Sequence, residues 1–193
     1  MDAKVLVAIA DGSEEIEAVV VIDVLRRAGL AVTVASCAAD GRLQLVASRG
    51  VHLTADCAMD ELLAETFDLI VVPGGMPGAE HLRDHQTLAL KLRQQRNHKR
   101  WIAAICASPA VVLKPLGLTE GSQLTCYPAF HSQFAPDQLR AQEPVVVDEA
   151  QMLVTSQGPG TSFSFALTLV GLLCGAAKAS EVKSGLLLDR FSG

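Results

Sequence analysis

The sequence predicts an α/β fold with a mostly parallel central sheet, and three observations carry that expectation. After its lysine, the run Lys4 to Ala10 is continuously apolar, the pattern of a short strand covered on both faces. Ser13 to Ala28 then reads as a helix stopped by Gly29, and Ala31 to Ser36 is a second β-branched run. The same alternation resumes later, with Leu69 to Val72 as a strand, a glycine-rich loop, a helical pattern through about Arg96 and a strand from Trp101 to Ile105. Strands that alternate with helices are joined by crossovers, which is how parallel pairs are made.

Between the two halves, Cys37 to Thr54 is punctuated by Asp40-Gly41 and Arg49-Gly50 and reads as a hairpin or sheet extension. Trp101 to Ile105 is expected to be the central strand. Behind it, Pro109 suits the first turn of a helix because its missing N–H would be unpaired there, with Ser108 as the cap and Gly117 as the stop. Leu124 to Cys126, Val145 to Val147 and Met152 to Thr155 read as further strands. A long helix from about Pro159 to Cys174, capped by Thr161 or Ser162, and a last one from about Ser180 to Leu188 close the chain. With no repeat and no linker, residues 1–193 read as one domain.

Composition excludes several classes. At 50% hydrophobic and 19% charged residues the 193-residue chain can bury one substantial core. A net charge of -5 gives no footprint for nucleic acid. Cys37, Cys57, Cys106, Cys126 and Cys174 show no CxxC or Cys/His spacing, which argues against a zinc site and a disulfide framework and suits a reducing compartment. Met1-Asp2-Ala3-Lys4 leads straight into a strand without a signal segment, so a cytoplasmic protein is expected. Phe163 to Ala177 is too interrupted to span a membrane and reads as a buried helix. Neither a metal nor a cofactor is expected.

Three segments converge at the carboxyl edge of such a sheet, where open α/β folds bind ligands. They are Asp11 to Glu17, Pro73 to Gly78 and the turn at Cys106. A free cysteine ordinarily acts as a small buried hydrophobe, a role that fits Cys37, Cys126 and Cys174. Cys106 differs because it stands between a strand and a helix start, where unpaired amides of the next helix stabilise a thiolate. Glu14 and Glu15 are explained by the attraction of acids to a helix start. Glu17 precedes a nearly unbroken apolar stretch, and burial would keep it protonated and able to shuttle a proton. Gly74-Gly75 offers amides that approach a ligand closely, as an oxyanion hole requires. His131 is a distant candidate base, and Tyr127 helps shape the pocket. Gly158-Pro159-Gly160-Thr161-Ser162 lacks a P-loop lysine and starts a helix instead.

Asp11-Gly12-Ser13-Glu14-Glu15-Ile16-Glu17, Pro73-Gly74-Gly75, Ala103-Ala104-Ile105-Cys106-Ala107 and Ser156-Gln157-Gly158-Pro159-Gly160-Thr161-Ser162-Phe163, in that order, resemble the ThiJ/PfpI superfamily. Within it they resemble the branch of Parkinson disease protein 7 and bacterial YajL, from about Lys4 to Leu188. The resemblance implies a flavodoxin-like three-layer sandwich and a homodimer. It implies a reactive Cys106 hydrogen-bonded by Glu17, with Gly74, Gly75 and Ala107 around an oxyanion pocket. Arg27 and Arg49 match arginines near the dimer interface and active site. Tyr127 stands where the human relative has a histidine, and Ala107 replaces the histidine of the protease-like branch, which turns the expectation away from peptidase chemistry.

The expected activity is therefore cysteine-dependent conversion of glyoxal or methylglyoxal, or removal of early glycation adducts. The alternative is a redox-responsive protector of client proteins that oxidises at Cys106. A glutaminase ranks below both, since no histidine follows His131. Expected partners are a second copy, small carbonyl compounds and client proteins, with no direct membrane association and nucleic acid only as a glycated substrate.

Overall fold

β1 (Lys4–Ile9) and β2 (Ala31–Ser36) pair in parallel from Lys4 opposite Ala31 to Ile9 opposite Ser36, in a computed structural model that describes residues 3–190. Met1 and Asp2, on which part of the amino-terminal reading rests, lie outside the described residues. Val5 to Ile9 are buried because helices cover both faces of the sheet. The helix between the strands, α1 (Glu15–Arg27), ends where the sequence places its stop. Gly29 N–H donates to the Arg26 carbonyl and Leu30 N–H to that of Leu25, at 3.0 and 3.2 Å. That is the Schellman pattern, with buried Leu25 and Leu30 as its apolar pair.

The segment after β2 forms the expected hairpin, β3 (Gln44–Val46) antiparallel to β4 (His52–Thr54), apart from the main sheet. A two-residue strand, β5 (Cys57–Ala58), pairs with β2. β6 (Leu69–Val72) returns to the other side of β1. The helical stretch behind it is two helices, α2 (Gly78–Asp84) and α3 (Gln86–Asn97), because His85 takes an extended ψ of 111° between them. β7 (Trp101–Ile105), β8 (Val145–Asp148), β9 (Leu153–Ser156), α4 (Ser162–Cys174) and α5 (Ala176–Gly185) follow. The seven-stranded order is β5-β2-β1-β6-β7-β9-β8, parallel except for the β8–β9 pair. β7 is thus an interior strand, one place off the middle, which belongs to β6. Strand order reverses between β1 and β6, so the loops leaving their carboxyl ends open a crevice there.

Several expectations need correction. Leu124 to Cys126 is no ladder strand, since Leu124 makes a single bridge to Leu139 and the next amide, Thr125 N–H, donates to Thr155 Oγ1 at 2.9 Å. Pro109 to Leu113 is one π-helical turn, and Ser108, itself helical in backbone, does not cap it. Thr161 does not cap α4, because its Oγ1 serves the Gly158 turn and Ser156 Oγ. Ser162 Oγ is buried without a partner among the described residues. α4 is buried on one face only, with Phe165 fully enclosed and Phe163 41% exposed. The same asymmetry exposes Cys174.

Phe165 is fully buried on one face of α4, a helix that packs against α1 and β9, so its removal leaves a void that neighbours refill only in part. Phe165→Ala is expected to lower unfolding free energy by about 3–5 kcal/mol, measured by urea denaturation; a loss below about 1 kcal/mol would show that this face is not packed as described.

Candidate active site

Cys106 follows β7 with a backbone φ of 64°, in the left-handed region. For a residue with a Cβ this costs about 1–2 kcal/mol, so the surroundings must hold it. They do so through both peptide groups: Cys106 N–H donates to the Ser156 carbonyl at 2.9 Å, and Tyr127 N–H donates to the Cys106 carbonyl at 2.8 Å. The result is an elbow that lifts the side chain off the end of the sheet.

The crevice between the ends of β1 and β6 supplies the facing groups. After β1 the chain turns sharply, with Ala10 N–H donating to Ser13 Oγ at 2.9 Å. Glu14 caps α1 by accepting from Glu17 N–H at 2.8 Å, and Glu14 N–H donates to the Gly74 carbonyl at 3.0 Å. Gly74 N–H in turn donates to Glu17 Oε2 at 2.7 Å. A Cβ at Gly74 would lie 2.6 Å from Cys106 Cβ and 2.9 Å from Glu17 Oε2. Gly75, at φ +89°, passes so close to the turn after β1 that a Cβ would strike the Gly12 carbonyl and the Glu14 amide. Only glycine fits either place.

Glu17 is fully buried. Burial pushes its carboxyl up to about 7, against the pull of the Gly74 N–H and the Cys106 thiol, and the charge of Glu14 adds to the rise. Oε1 has no well-aligned donor among the described residues, although the carboxyl is hydrogen-bonded with Cys106. The thiol's hydrogen bond to the carboxyl favours an ionised Glu17 and, by the same contact, a protonated Cys106. Burial, followed by the Glu17 carboxylate, pushes the Cys106 thiol up to about 12, while the Gly75 and Ala107 amides pull it down. This corrects the expectation of a thiolate stabilised by the next helix. When Glu17 takes its proton, the repulsion disappears and the two amides remain.

Glu15, two residues away, behaves oppositely. Burial works against its charge, yet Ser48 Oγ donates to Oε2 at 2.7 Å and Arg49 N–H to Oε1 at 2.8 Å, and these hydrogen bonds hold it below the usual carboxylate range. Glu14 and Glu15 are therefore specific cap and anchor rather than generic helix-start acids. The Arg49 backbone is fixed at the site by Glu15, while its guanidinium belongs to an exposed residue.

The remaining candidates fall at different distances from the thiol. Gly74 does not serve as an oxyanion donor, because its N–H is committed to Glu17; Gly75 and Ala107 are the amides at the sulfur. Tyr127 touches Cys106 through its backbone, and its half-exposed ring packs over Gly158. His131 Nε2 faces the Cys126 carbonyl at 3.1 Å; a carbonyl only accepts, so that nitrogen carries a proton and is no base. Arg27 pairs with Asp23 at 2.6 Å, ten residues and about 15 Å of helix rise from Glu17. Ser13, Ser108 and Ser156 also hold the segments around the site in place, and a serine beside a turn carries no sequence signal of its tertiary partner. A recess of about 820 Å³ lies beside the site, lined by Asp11, Cys37, Arg42, His81 and His85 among others, and Cys106 is not in its wall. Among the described residues no cluster of His, Cys, Asp and Glu is suited to a metal ion.

The fold and site together define a flavodoxin-like α/β sandwich with a buried thiol–carboxyl pair at a strand-to-helix elbow. The chain belongs to the DJ-1/PfpI family, whose match covers residues 3–172. Among its relatives are Protein DJ-1 homolog B of Arabidopsis thaliana, 44% identical over 96% of this chain, and the glutathione-independent glyoxalase DJR-1.2 of Caenorhabditis elegans, 32% identical over 93% of both chains. This chain spans only 41% of the Arabidopsis protein's length. The solved structure of oxidized Toxoplasma gondii DJ-1 is 44% identical, with a TM-score of 0.91 over 96% of this chain and 98% of that one.

The raised proton affinity of Glu17 has a definite sign for stability. From about pH 4.5, the ordinary value, to about 7 the native state holds a proton that the unfolded state has released. Stability therefore falls as pH rises through that window and stays lower above it, by up to roughly 3 kcal/mol. Denaturation at pH 5 and pH 8 is expected to show a downward slope in the native sequence that Glu17→Gln flattens. An equal slope in both proteins would mean that Glu17 is ionised throughout.

Proposed function

We propose that this chain converts small 2-oxoaldehydes, glyoxal and methylglyoxal, to hydroxy acids, or removes their early adducts. The observation that carries the reading is the convergence of a thiol, a carboxyl with proton affinity near neutrality and two backbone amides on one sulfur atom. The Cys106 sulfur attacks the aldehyde carbon, a C–S bond forms, and the former carbonyl oxygen takes the thiol proton, giving a hemithioacetal. Gly75 and Ala107 N–H donate to that oxygen as charge develops on it. Glu17 takes the proton from the hemithioacetal carbon and returns it to the neighbouring carbonyl carbon, while the hydroxyl proton passes from the first oxygen to the second, leaving a thioester. Water then cleaves the C–S bond, releasing the hydroxy acid and the thiol. The sum is substrate plus water, the aldehyde carbon being oxidised and its neighbour reduced within one molecule.

A relative named as a glutathione-independent glyoxalase supports this reading. Arg49, Tyr127 and, from a second copy, Arg27 border the pocket in it. A homodimer in the cytoplasm completes the proposal, and the exposed Ile16 and Val19 of α1, with Val46 and Val51 of the hairpin, provide an apolar surface for the second copy. No helix among the described residues is long and apolar enough to cross a membrane.

Methylglyoxal loss and hydroxy-acid formation, followed by NMR, should vanish in Cys106→Ser and fall about 10²–10⁴-fold in Glu17→Gln. Full-rate turnover by Cys106→Ser would remove the proposal.

The same pair supports a redox role, favoured by the close likeness to a DJ-1 structure described as oxidized. Two successive hydrogen peroxide molecules would each transfer one oxygen to Cys106 and leave as water, giving a sulfinic acid, and the two amides and protonated Glu17 donate to its oxygens. Peptide mass spectrometry after peroxide treatment should find them at Cys106 first, with the preference reduced in Glu17→Ala. Equal oxidation of Cys37 and Cys174 would overturn this second reading.

A further inference from the structure

Ser108 follows the nucleophile by two residues and is fully buried. Its hydroxyl does not cap the π turn behind it but donates to the Pro73 carbonyl at 2.6 Å. That carbonyl and the Gly74 N–H are the two ends of one planar peptide unit. The N–H end donates to Glu17 Oε2 at 2.7 Å, and the Glu17 carboxyl faces Cys106. A ring of contacts therefore runs from Cys106 along the chain to Ser108, across to Pro73, through the peptide to Glu17 and back to the sulfur.

We propose that Ser108 is a positioning residue that acts on Glu17 through the Pro73–Gly74 peptide, and through Glu17 on Cys106. Two physical effects transmit its influence. A planar peptide pinned at its oxygen cannot rotate its N–H away from Glu17. A peptide whose carbonyl accepts a strong hydrogen bond is polarised, so its N–H donates more strongly. The titratable groups facing Glu17 are Glu14, on its own helix start, and Cys106; the 73–75 loop brings only backbone. Removing the Ser108 hydroxyl weakens the donor to Oε2 and so makes the carboxylate less favourable.

The inference rests on the Glu17–Cys106 pairing used for carbonyl chemistry, but its test reads the thiol directly. Cys106 alkylation by iodoacetamide, quantified by peptide mass spectrometry against pH, should show an inflection from Glu17 near 7. In Ser108→Ala the inflection should move upward by about half a pH unit, with roughly threefold faster alkylation above it. In the Glu17→Gln background Ser108→Ala should shift nothing, because the route passes through the carboxyl. If wild-type protein turns over methylglyoxal, Ser108→Ala should lower kcat more than it changes KM. An unmoved profile in Ser108→Ala, or the same rate change in both backgrounds, would overturn the proposal. Absence of turnover in the wild type would overturn the carbonyl reading alone, since the alkylation comparison does not depend on it.

Discussion

The close approach of the 74–75 backbone to the turn after β1 is the constraint from which the site is built. Glu14 N–H reaches the Gly74 carbonyl and Gly74 N–H reaches Glu17, so one residue accepts from and donates to the start of α1. Both contacts require that no Cβ stand between the segments. Cys106 completes the crevice because its strained elbow is tied to Ser156 on one side and Tyr127 on the other. Loosening any of the three segments would leave a buried carboxyl, a buried amide or a strained turn without compensation.

Two carboxyls in the first turn of one helix are driven in opposite directions by their surroundings. Glu15 is satisfied by the hairpin and stays charged, which fixes the Arg49 loop to α1. Glu17 is enclosed with a single aligned donor and holds its proton to near neutrality. Divergent proton affinity of this kind separates a structural acid from a group suited to proton transfer. The four cysteines whose thiols are shifted are all pushed upward by burial, yet Cys106 differs from Cys37, Cys57 and Cys126 in having amide donors that pull the other way. Because one of the influences that raise Cys106 is the charge of Glu17, its protonation is one that a neighbour can change.

Much of this was legible in the sequence where a residue's local pattern and its tertiary fate share one cause. The run Ala31 to Ser36 is apolar enough to sit in a sheet, and it does so with the expected bounds. Gly29 marks a stop because a left-handed residue ends a helix wherever it lies. Legibility failed where a short side chain had several partners within reach. Ser108, Thr161 and Ser162 all resemble caps, yet Ser108 turns to Pro73 and Thr161 to the Gly158 turn. Leu124 to Cys126 is apolar and β-prone, but its amides find a side chain and a lone bridge instead of a neighbouring strand.

The sequence by itself determined the alternation of strands and helices, the elbow cysteine, the acid that burial would protonate and the glycines of the facing loop. Each follows from periodicity, turn chemistry or hydropathy, which act over a few residues. Only the tertiary structure decided that Gly74 serves Glu17 rather than an oxyanion, that the thiol is raised while its partner is charged, and that Ser108 reaches the opposite loop. Those outcomes depend on which amide, carboxyl and hydroxyl meet after residues 14, 74 and 106 are brought together, and proton affinity is set by that meeting and by the water it excludes.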